Sequence, residues 1–207
     1  QQFGIMEASV GKSGFFTALY IVMIPVIGIF IGKRPGIKLW FCVALAVVGM
    51  YLLCMKDGSF TIERADIMLL LCALAFSLQI LSVDHFAPKV DCVKLASLQF
   101  LVCGVLSAVG MLFTETPDIS NIQAAWLPLL YAGLLSCGVG YTLQIVGQKG
   151  INPVIASLIM SLESVISALA GWVILGQVLS PKEILGCVLM FVAIIITQIP
   201  IGNKKTD

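Results

Sequence analysis

Charge is the scarcest property of this sequence: only 11% of its 207 residues are Asp, Glu, Lys or Arg, whereas 59% are hydrophobic. A soluble domain carries charge on about 25% of its residues, because charged side chains cover the surface that faces water. This chain cannot cover its surface in that way, and its mean hydropathy of +1.06 indicates that the surface faces lipid. The net charge is only +1, and no cluster of Lys or Arg predicts a nucleic-acid partner.

Side chains and motifs for enzyme or metal chemistry are also scarce. The sequence has one histidine, His85, and contains no HExxH, GxSxG, P-loop or dinucleotide-binding motif. Its seven cysteines form no CxxC pair and stand mostly in apolar runs, where cysteine behaves as a small hydrophobic residue. We therefore expect no enzymatic activity, no metal ion and no other cofactor. His85 lies at a predicted helix end, where we expect it to be solvated.

Long apolar runs make up most of the chain. A helix needs about 20 apolar residues to cross the hydrocarbon core, and inside lipid only a helix or a closed barrel satisfies the backbone. The run lengths predict an all-α membrane protein with about seven transmembrane helices. These predicted spans, named a to g, cover residues 13–32, 37–55, 66–84, 94–113, 124–146, 153–176 and 183–201.

The distribution of charge predicts the orientation of these spans. With the C-terminus in the cytoplasm, eight of the twelve Lys and Arg residues fall on the cytoplasmic side. Seven of the eleven acidic residues then fall on the opposite side. Cytoplasmic loops of membrane proteins carry an excess of Lys and Arg. We therefore expect a cytoplasmic C-terminus.

Residues 1–53 resemble residues 144–197, and both segments read as a polar turn, an apolar helix ending in Gly, a second turn and another apolar helix. The shift between them crosses five spans. Because five is odd, the two copies face opposite ways in the membrane, as in the inverted repeats of many transporters. The matching pairs are Gln1–Gln144, Gly4–Gly147, Leu19–Leu162, Gly28–Gly171 and, after a one-residue gap, Gly32–Gly176.

The repeat predicts two units of five helices. Residues 1–57 are then the last part of the first unit, with the end of helix 3 and helices 4 and 5. Residues 58–207 are the complete second unit, with helices 6–10. We accordingly interpret the chain as a fragment of a ten-helix bundle that lacks the first two to three helices.

Glu163 is the most informative single residue, because it stands in the middle of span f. A carboxylate at that depth costs about 2.5–3.5 kcal/mol on insertion scales, so it should face protein or a water-filled cavity. One interpretation is a substrate-binding or proton-binding site. The alternative is a structural acid that is bonded to a neighbouring helix.

Other polar residues at membrane depth are secondary candidates for a substrate or proton site. Tyr20 occupies the position of the first copy that matches Glu163, and Gln79 is the deepest amide of span c. Tyr141 and Gln144 lie in span e, where Gln144 either lines a cavity or reaches the interface. Small residues recur on one face of span f, about 200° from Glu163, and indicate helix packing; they are Ser157, Ser161, Ser164, Ala168 and Gly171. The GxxxG motif at 28–32 also predicts packing.

Two segments resemble a known family. GKSGFFTALYIVMIPVIGIFIGKRP (11–35) resembles the fourth helix of EamA-type proteins in the drug/metabolite transporter superfamily. LLYAGLLSCGVGYTLQIVGQKGINPVIASLIMSLESVISALAGWVILG (129–176) resembles the eighth and ninth helices. The resemblance implies ten helices in two inverted units around a central cavity. Helices 3, 4, 8 and 9 contribute to that cavity; here they are the segment before residue 10 and spans a, e and f.

The resemblance also places Glu163 on the acid of the family's LEP pattern. Ser164 stands where the family has Pro, so span f is expected to be straighter than usual. The family's GER pattern is replaced here by Gly176, Gln177 and Val178, so no role for a second acid is carried over.

The implied function is secondary transport of small metabolites, such as amino acids or drugs, by alternating access in a bacterial inner membrane. Its expected partners are a small-molecule substrate and the lipid bilayer, and no oligomeric state is predicted. The number of spans alone also fits a seven-helix membrane receptor or sensor. The repeat favours the transporter, because a receptor has no reason to repeat after five spans.

Overall fold

The structure is a computed structural model of the chain that describes residues 10–33, 35–54, 64–114, 119–176 and 178–199, together with Gly4 and Met6. All regular structure in the described residues is helical. Seven helical stretches there are long and apolar enough to cross a membrane, and they match the predicted spans to within a few residues. They are Ser13–Phe30, Ile37–Cys54, Arg64–Phe86, Cys92–Phe113, Trp126–Gln148, Pro153–Ile174 and Pro181–Gln198. The chain is an integral membrane protein with an all-α fold.

The helices are numbered in chain order. Span a consists of α1 (Val10–Ala18) and α2 (Tyr20–Phe30), and span f of α9 (Pro153–Met160) and α10 (Leu162–Leu175). Span e consists of α7 (Trp126–Leu130), a π-helix (Tyr131–Tyr141) and α8 (Thr142–Gln148). The remaining helices are α3 (Ile37–Cys54, span b), α4 (Arg64–Phe86, span c), α5 (Cys92–Thr114, span d), α6 (Ile119–Ala124) and α11 (Pro181–Gln198, span g).

Spans a and f are each interrupted at one residue, which the sequence did not predict. Leu19 has ψ −8° and Ser161 has ψ −14°, values that tighten the helix into a turn of the 3₁₀ type. Across each interruption an amide bonds to the carbonyl three residues earlier, at 3.0 Å for Val22 to Leu19 and 3.2 Å for Ser164 to Ser161. Whether span f is straighter than in relatives with Pro at the position of Ser164 stays a prediction.

Pro25, a residue that disfavours helix interiors, lies inside α2 rather than at the interruption of span a. The helix continues through it, and the interruption at Leu19 comes six residues earlier.

Several helix ends follow directly from the sequence. The Asn152 side chain accepts a hydrogen bond from the Val154 amide, and Pro153 takes the first helical position of α9. Ser180 and Glu183 form a capping box at the start of α11. The other end of span f is Gly176, whose φ of 65° is a left-handed conformation that glycine adopts without strain.

The described residues divide into two compact units, of which the first contains 1–81 and 152–207. In this unit α3 packs along α11. Gly49 lies against Gly186, and the Lys38 ammonium donates to the Thr197 carbonyl at 3.2 Å and to the Ile199 carbonyl. The residue numbers rise along one helix as they fall along the other, so the two helices run antiparallel. The lysine also places positive charge at the C-terminal end of α11, where the helix dipole favours it.

The predicted packing motif at 28–32 makes no comparably close contact. A Cβ atom on Gly28 would have Lys33 Cβ at 3.8 Å as its nearest neighbour, and one on Gly32 would meet nothing within 4 Å. The close approach of helices therefore lies at Gly49 and Gly186, two glycines that belong to no GxxxG pattern.

The second unit contains residues 82–151 and has a small core of Val83, Ala87, Ala96 and Ile145. Asp91 begins α5 by accepting hydrogen bonds from the Lys94 and Val93 amides, which hold the pKa of that carboxyl below its usual range. Every residue from 101 to 110 is exposed, and most of them are apolar.

His85 belongs to the second unit and is exposed, as predicted. Its Nε2 atom lies 2.7 Å from the Lys89 Nζ atom. Since the ammonium can only donate, the ring nitrogen accepts in this contact.

Candidate functional site

Glu163 is the second residue of α10 and follows the interruption of span f at Ser161. Its side chain is exposed, whereas Ser157 and Ser161 are 0% and 2% exposed. The small residues of span f and the carboxylate therefore lie on different faces, as the helical spacing predicted. Glu163 also lies in the first turn of α10, where the helix dipole favours a negative charge.

Tyr20 stands at the matching place in span a. It is the first residue of α2, directly after the interruption at Leu19, and its side chain is only 9% exposed. Its ring lies against Phe76 of α4, with the ring centroids 6.4 Å apart. The tyrosine is thus fixed between span a and span c.

Tyr20 and Glu163 belong to the same compact unit, in which α9 of span f packs against α2 of span a. Each stands just after the interruption of its own span. Within the described part of the chain, no Lys or Arg forms a salt bridge with Glu163. An exposed carboxylate can bind a cationic or proton-donating ligand, and the role of Glu163 in such a site stays a prediction.

Gln79 belongs to the same unit and lies on α4, one turn after Phe76. Its side chain is half-buried. Because residues three apart share a helix side, Gln79 lies on the side of α4 that carries the ring packed against Tyr20. Its membership of the site stays a prediction.

Tyr141 and Gln144 lie in the second unit and form a separate pair of candidates. Tyr141 ends the π-helix and Gln144 lies one turn later in α8, both half-buried. π-Helical segments are rare and occur often at functional sites. The sequence indicated the polar residues of span e but not this change of helix type. Their role in a site stays a prediction.

Comparisons with known proteins show the family to which the chain belongs. The EamA-like transporter family matches residues 63–199. An uncharacterized transporter of Archaeoglobus fulgidus is 31% identical over 96% of this chain. The chain belongs to the EamA-like transporter family.

Two further comparisons concern coverage and fold. The uncharacterized transporter YwfM of Bacillus subtilis is 26% identical over 84% of this chain. The chain spans 64% of the length of the archaeal relative and 59% of YwfM. A crystal structure of 17% sequence identity superposes with a TM-score of 0.79 over 94% of this chain and 69% of that one, which shows that the fold is shared.

Two buried hydroxyl groups of this EamA-like chain were not predicted from the sequence. Ser13 is 5% exposed, and the Oγ atom of Ser13 and the Oγ1 atom of Thr17 have no hydrogen-bond partner among the described residues. Both lie on α1, one turn apart and shortly before Tyr20. The spacing of the three residues was visible in the sequence, but hydroxyl groups in membrane helices usually bond to their own backbone and give no functional signal.

Asp66, in the first turn of α4, is a second feature that sequence reasoning missed, since its side chain is completely buried. In the sequence it is one of the seven acidic residues that fall on the extracytoplasmic side. Its position at a helix N-terminus is electrostatically favourable.

An apolar crevice of about 380 Å³ lies between α2 and α4 in the first unit. It contains none of the candidate site residues and has only aliphatic and thioether side chains, which suit lipid or apolar ligands. The lining residues are Met23, Val26, Ile27, Ile67, Leu70, Leu71 and Leu74. The described residues contain no group of three His, Cys, Asp or Glu side chains that could hold a metal ion.

Proposed function

We propose that this protein is a secondary transporter that moves small metabolites, such as amino acids or drugs, across the membrane by alternating access. Membership of the EamA-like family is the observation that carries the proposal. The relatives from Archaeoglobus fulgidus and Bacillus subtilis are named as transporters, although their substrates are not named.

The inverted repeat is part of this proposal, with residues 1–57 and 58–207 as the two units. Two matches between spans a and f support it. Each span is interrupted shortly before its polar candidate, Tyr20 or Glu163, and each ends in a left-handed glycine, with φ 86° at Gly32 and 65° at Gly176. In transporters built from inverted repeats, substrate sites lie near the bilayer midplane beside discontinuous helices. The boundary at 57/58 lies outside the described residues.

A seven-helix receptor or sensor is the alternative, since seven candidate spans are present in the described residues. A receptor binds its ligand without moving it, so net flux separates the two functions.

Counterflow into liposomes tests the proposal directly. The intact purified protein is reconstituted into liposomes that are preloaded with one unlabelled amino acid or drug, and uptake of the same labelled compound is followed. A transporter should accumulate label transiently and saturably, and protein-free liposomes provide the control. Saturable binding of a ligand without any counterflow would favour the receptor.

We further propose that the C-terminus is cytoplasmic and that the membrane is the inner membrane of a bacterium. The eight-to-four division of Lys and Arg supports the orientation. A reporter fused after Asp207 should then be active in the cytoplasm, and one inserted in the link 115–122 should be active outside. The opposite pair of activities would reverse the orientation. Residues 115–118 and 200–207 lie outside the described residues.

A further inference from the structure

Hydroxyl groups on the spanning helices mostly bond to carbonyls of their own helix. Such a bond satisfies the hydroxyl group in an apolar medium without a partner from another helix. Six Ser and Thr side chains form it, with oxygen–oxygen distances of 2.6–2.9 Å: Ser77, Ser97, Thr142, Ser157, Ser161 and Thr197.

The hydroxyl groups of Ser13 and Thr17 do not form this bond to their own helix. Their hydroxyl oxygens are buried, yet they have no hydrogen-bond partner in the described part of the chain. A buried polar group without a partner is destabilising, and lipid offers no water to compensate. Two such groups one turn apart are therefore expensive unless a ligand satisfies them.

The position of these hydroxyls relates them to the candidate site. Steps of four and three residues place Ser13, Thr17 and Tyr20 along one side of span a. Helix α3 packs beside this row of hydroxyls: a Cβ atom on Gly14, one residue after Ser13, would lie 3.5 Å from Cys54 Sγ. The three polar side chains therefore follow span a to Tyr20, the first residue of α2, and α9 of span f, which precedes Glu163 in the chain, packs against α2.

We propose that the Ser13 and Thr17 hydroxyls form a hydrogen-bonding subsite for the transported molecule, continuous with Tyr20 and Glu163. The inference rests on the proposed transport function and narrows its substrate class. Four residues of helix advance about 6 Å, which sets the spacing of the polar groups in the ligand. The ligand is a small amine whose cationic group is stabilised by Glu163 and whose hydroxyl, amide or carboxylate groups bond to Ser13 and Thr17.

An apolar amine uses only the Glu163 end of this site. It leaves both hydroxyls unsatisfied, so a polar amine is preferred over an apolar one. L-Glutamine and L-threonine represent the polar amines, and n-hexylamine represents an apolar amine of similar length.

The test compares the double variant Ser13→Ala/Thr17→Val with the control Ser77→Ala in the intact protein. Ser77 is also completely buried, but its hydroxyl bonds to the Ala73 carbonyl at 2.8 Å. Two readouts are measured for each protein: the shift in melting temperature on adding each amine, and counterflow of the same amine in liposomes.

We expect the polar amines to stabilise the wild type and the Ser77→Ala variant. The double variant should lose most of that ligand-induced shift, and its KM for the polar amines should rise about tenfold, corresponding to two modest hydrogen bonds. The response to n-hexylamine should not change. Without ligand, the double variant should melt at or above the wild-type temperature, because it loses two unsatisfied buried hydroxyls.

The two proposals fail in different ways. A melting shift that depends on Ser13 and Thr17 without counterflow would keep the subsite and overturn the transport function. Three results would overturn the subsite: no shift with either polar amine, an unchanged shift in the double variant, or a ligand-free melting temperature well below that of wild type.

Discussion

Replacing Glu163 with glutamine should reduce transport by about tenfold to a hundredfold while folding and membrane insertion stay intact. Glutamine keeps the shape of the side chain and part of its hydrogen bonding, but it removes the negative charge and the titratable proton. A hydrogen bond to a charged group contributes about 1.5–3 kcal/mol, which gives the expected range of the loss. Initial rates of counterflow at several pH values measure the effect, with expression and melting temperature recorded for the same samples.

Glu183→Gln is the matched control for this substitution. Glu183 is buried, and its carboxylate accepts a hydrogen bond from the Ser180 amide at 2.7 Å in the capping box of α11. Replacing the Glu183 carboxylate with an amide should lower the melting temperature but leave the transport rate per folded molecule unchanged. The two acids thus separate a structural effect from a functional one.

Wild-type transport by the Glu163→Gln variant at every pH would exclude a proton or substrate role for this carboxylate. Glu163 would then be a structural acid that is bonded to a neighbouring helix. In that case Glu163→Ala should lower expression or thermal stability more than Glu163→Gln does.

The spans were predictable because lipid imposes a simple constraint on the chain. Each crossing needs about 20 apolar residues in a helix, so run length alone located all seven. The same constraint made Glu163 conspicuous, since one carboxylate in an apolar run stands out without any knowledge of its neighbours. Its correspondence to Tyr20 rests only on the weak match between the two copies.

The interruptions of spans a and f could not be predicted, because neither Leu19 nor Ser161 is a residue that breaks helices. Pro25, whose ring disfavours helix interiors, lies inside a continuous helix instead. A tightening of one turn costs little and depends on the packing of neighbouring helices, which local sequence does not encode.

The unsatisfied hydroxyls of Ser13 and Thr17 could not be predicted either, because their bonding also depends on neighbouring helices. A serine in a membrane helix looks the same in sequence whether it bonds to its own backbone or points toward a ligand. The choice depends on the side-chain rotamer and on the neighbouring helices. Only the comparison with hydroxyls such as those of Ser77 and Ser157 made the two exceptions visible.

The closest approach of two helices could not be located from the sequence, because GxxxG is a weak local pattern, whereas close approach depends on two helices at once. Gly49 and Gly186 stand alone in their helices, but their backbones meet where α3 crosses α11. A Cβ atom on Gly186 would lie 2.6 Å from the Gly49 carbonyl oxygen and 2.8 Å from the Leu53 nitrogen. Both neighbours are backbone atoms, so neither can move aside by changing a rotamer.

Gly186→Ala should therefore destabilise the protein by about 1–3 kcal/mol, the usual range for overpacking in a close-packed interior. Thermal unfolding in detergent, followed by tryptophan fluorescence, measures the change. Gly104→Ala is the control, because a Cβ atom at that helical position would meet nothing within 4 Å. The control should be neutral or slightly stabilising, since alanine has the higher helix propensity.

Gly49→Ala tests the same contact from the other helix, since its Cβ would lie 2.8 Å from the Gly186 carbonyl oxygen. Both substitutions separate α3 from α11 at one crossing, so once either has forced the helices apart, the second should cost much less. The double variant should accordingly be more stable than the sum of the two single effects predicts, as expected for residues in direct contact. Strictly additive effects, or a melting temperature of Gly186→Ala equal to that of Gly104→Ala, would show that α3 and α11 do not meet at these glycines.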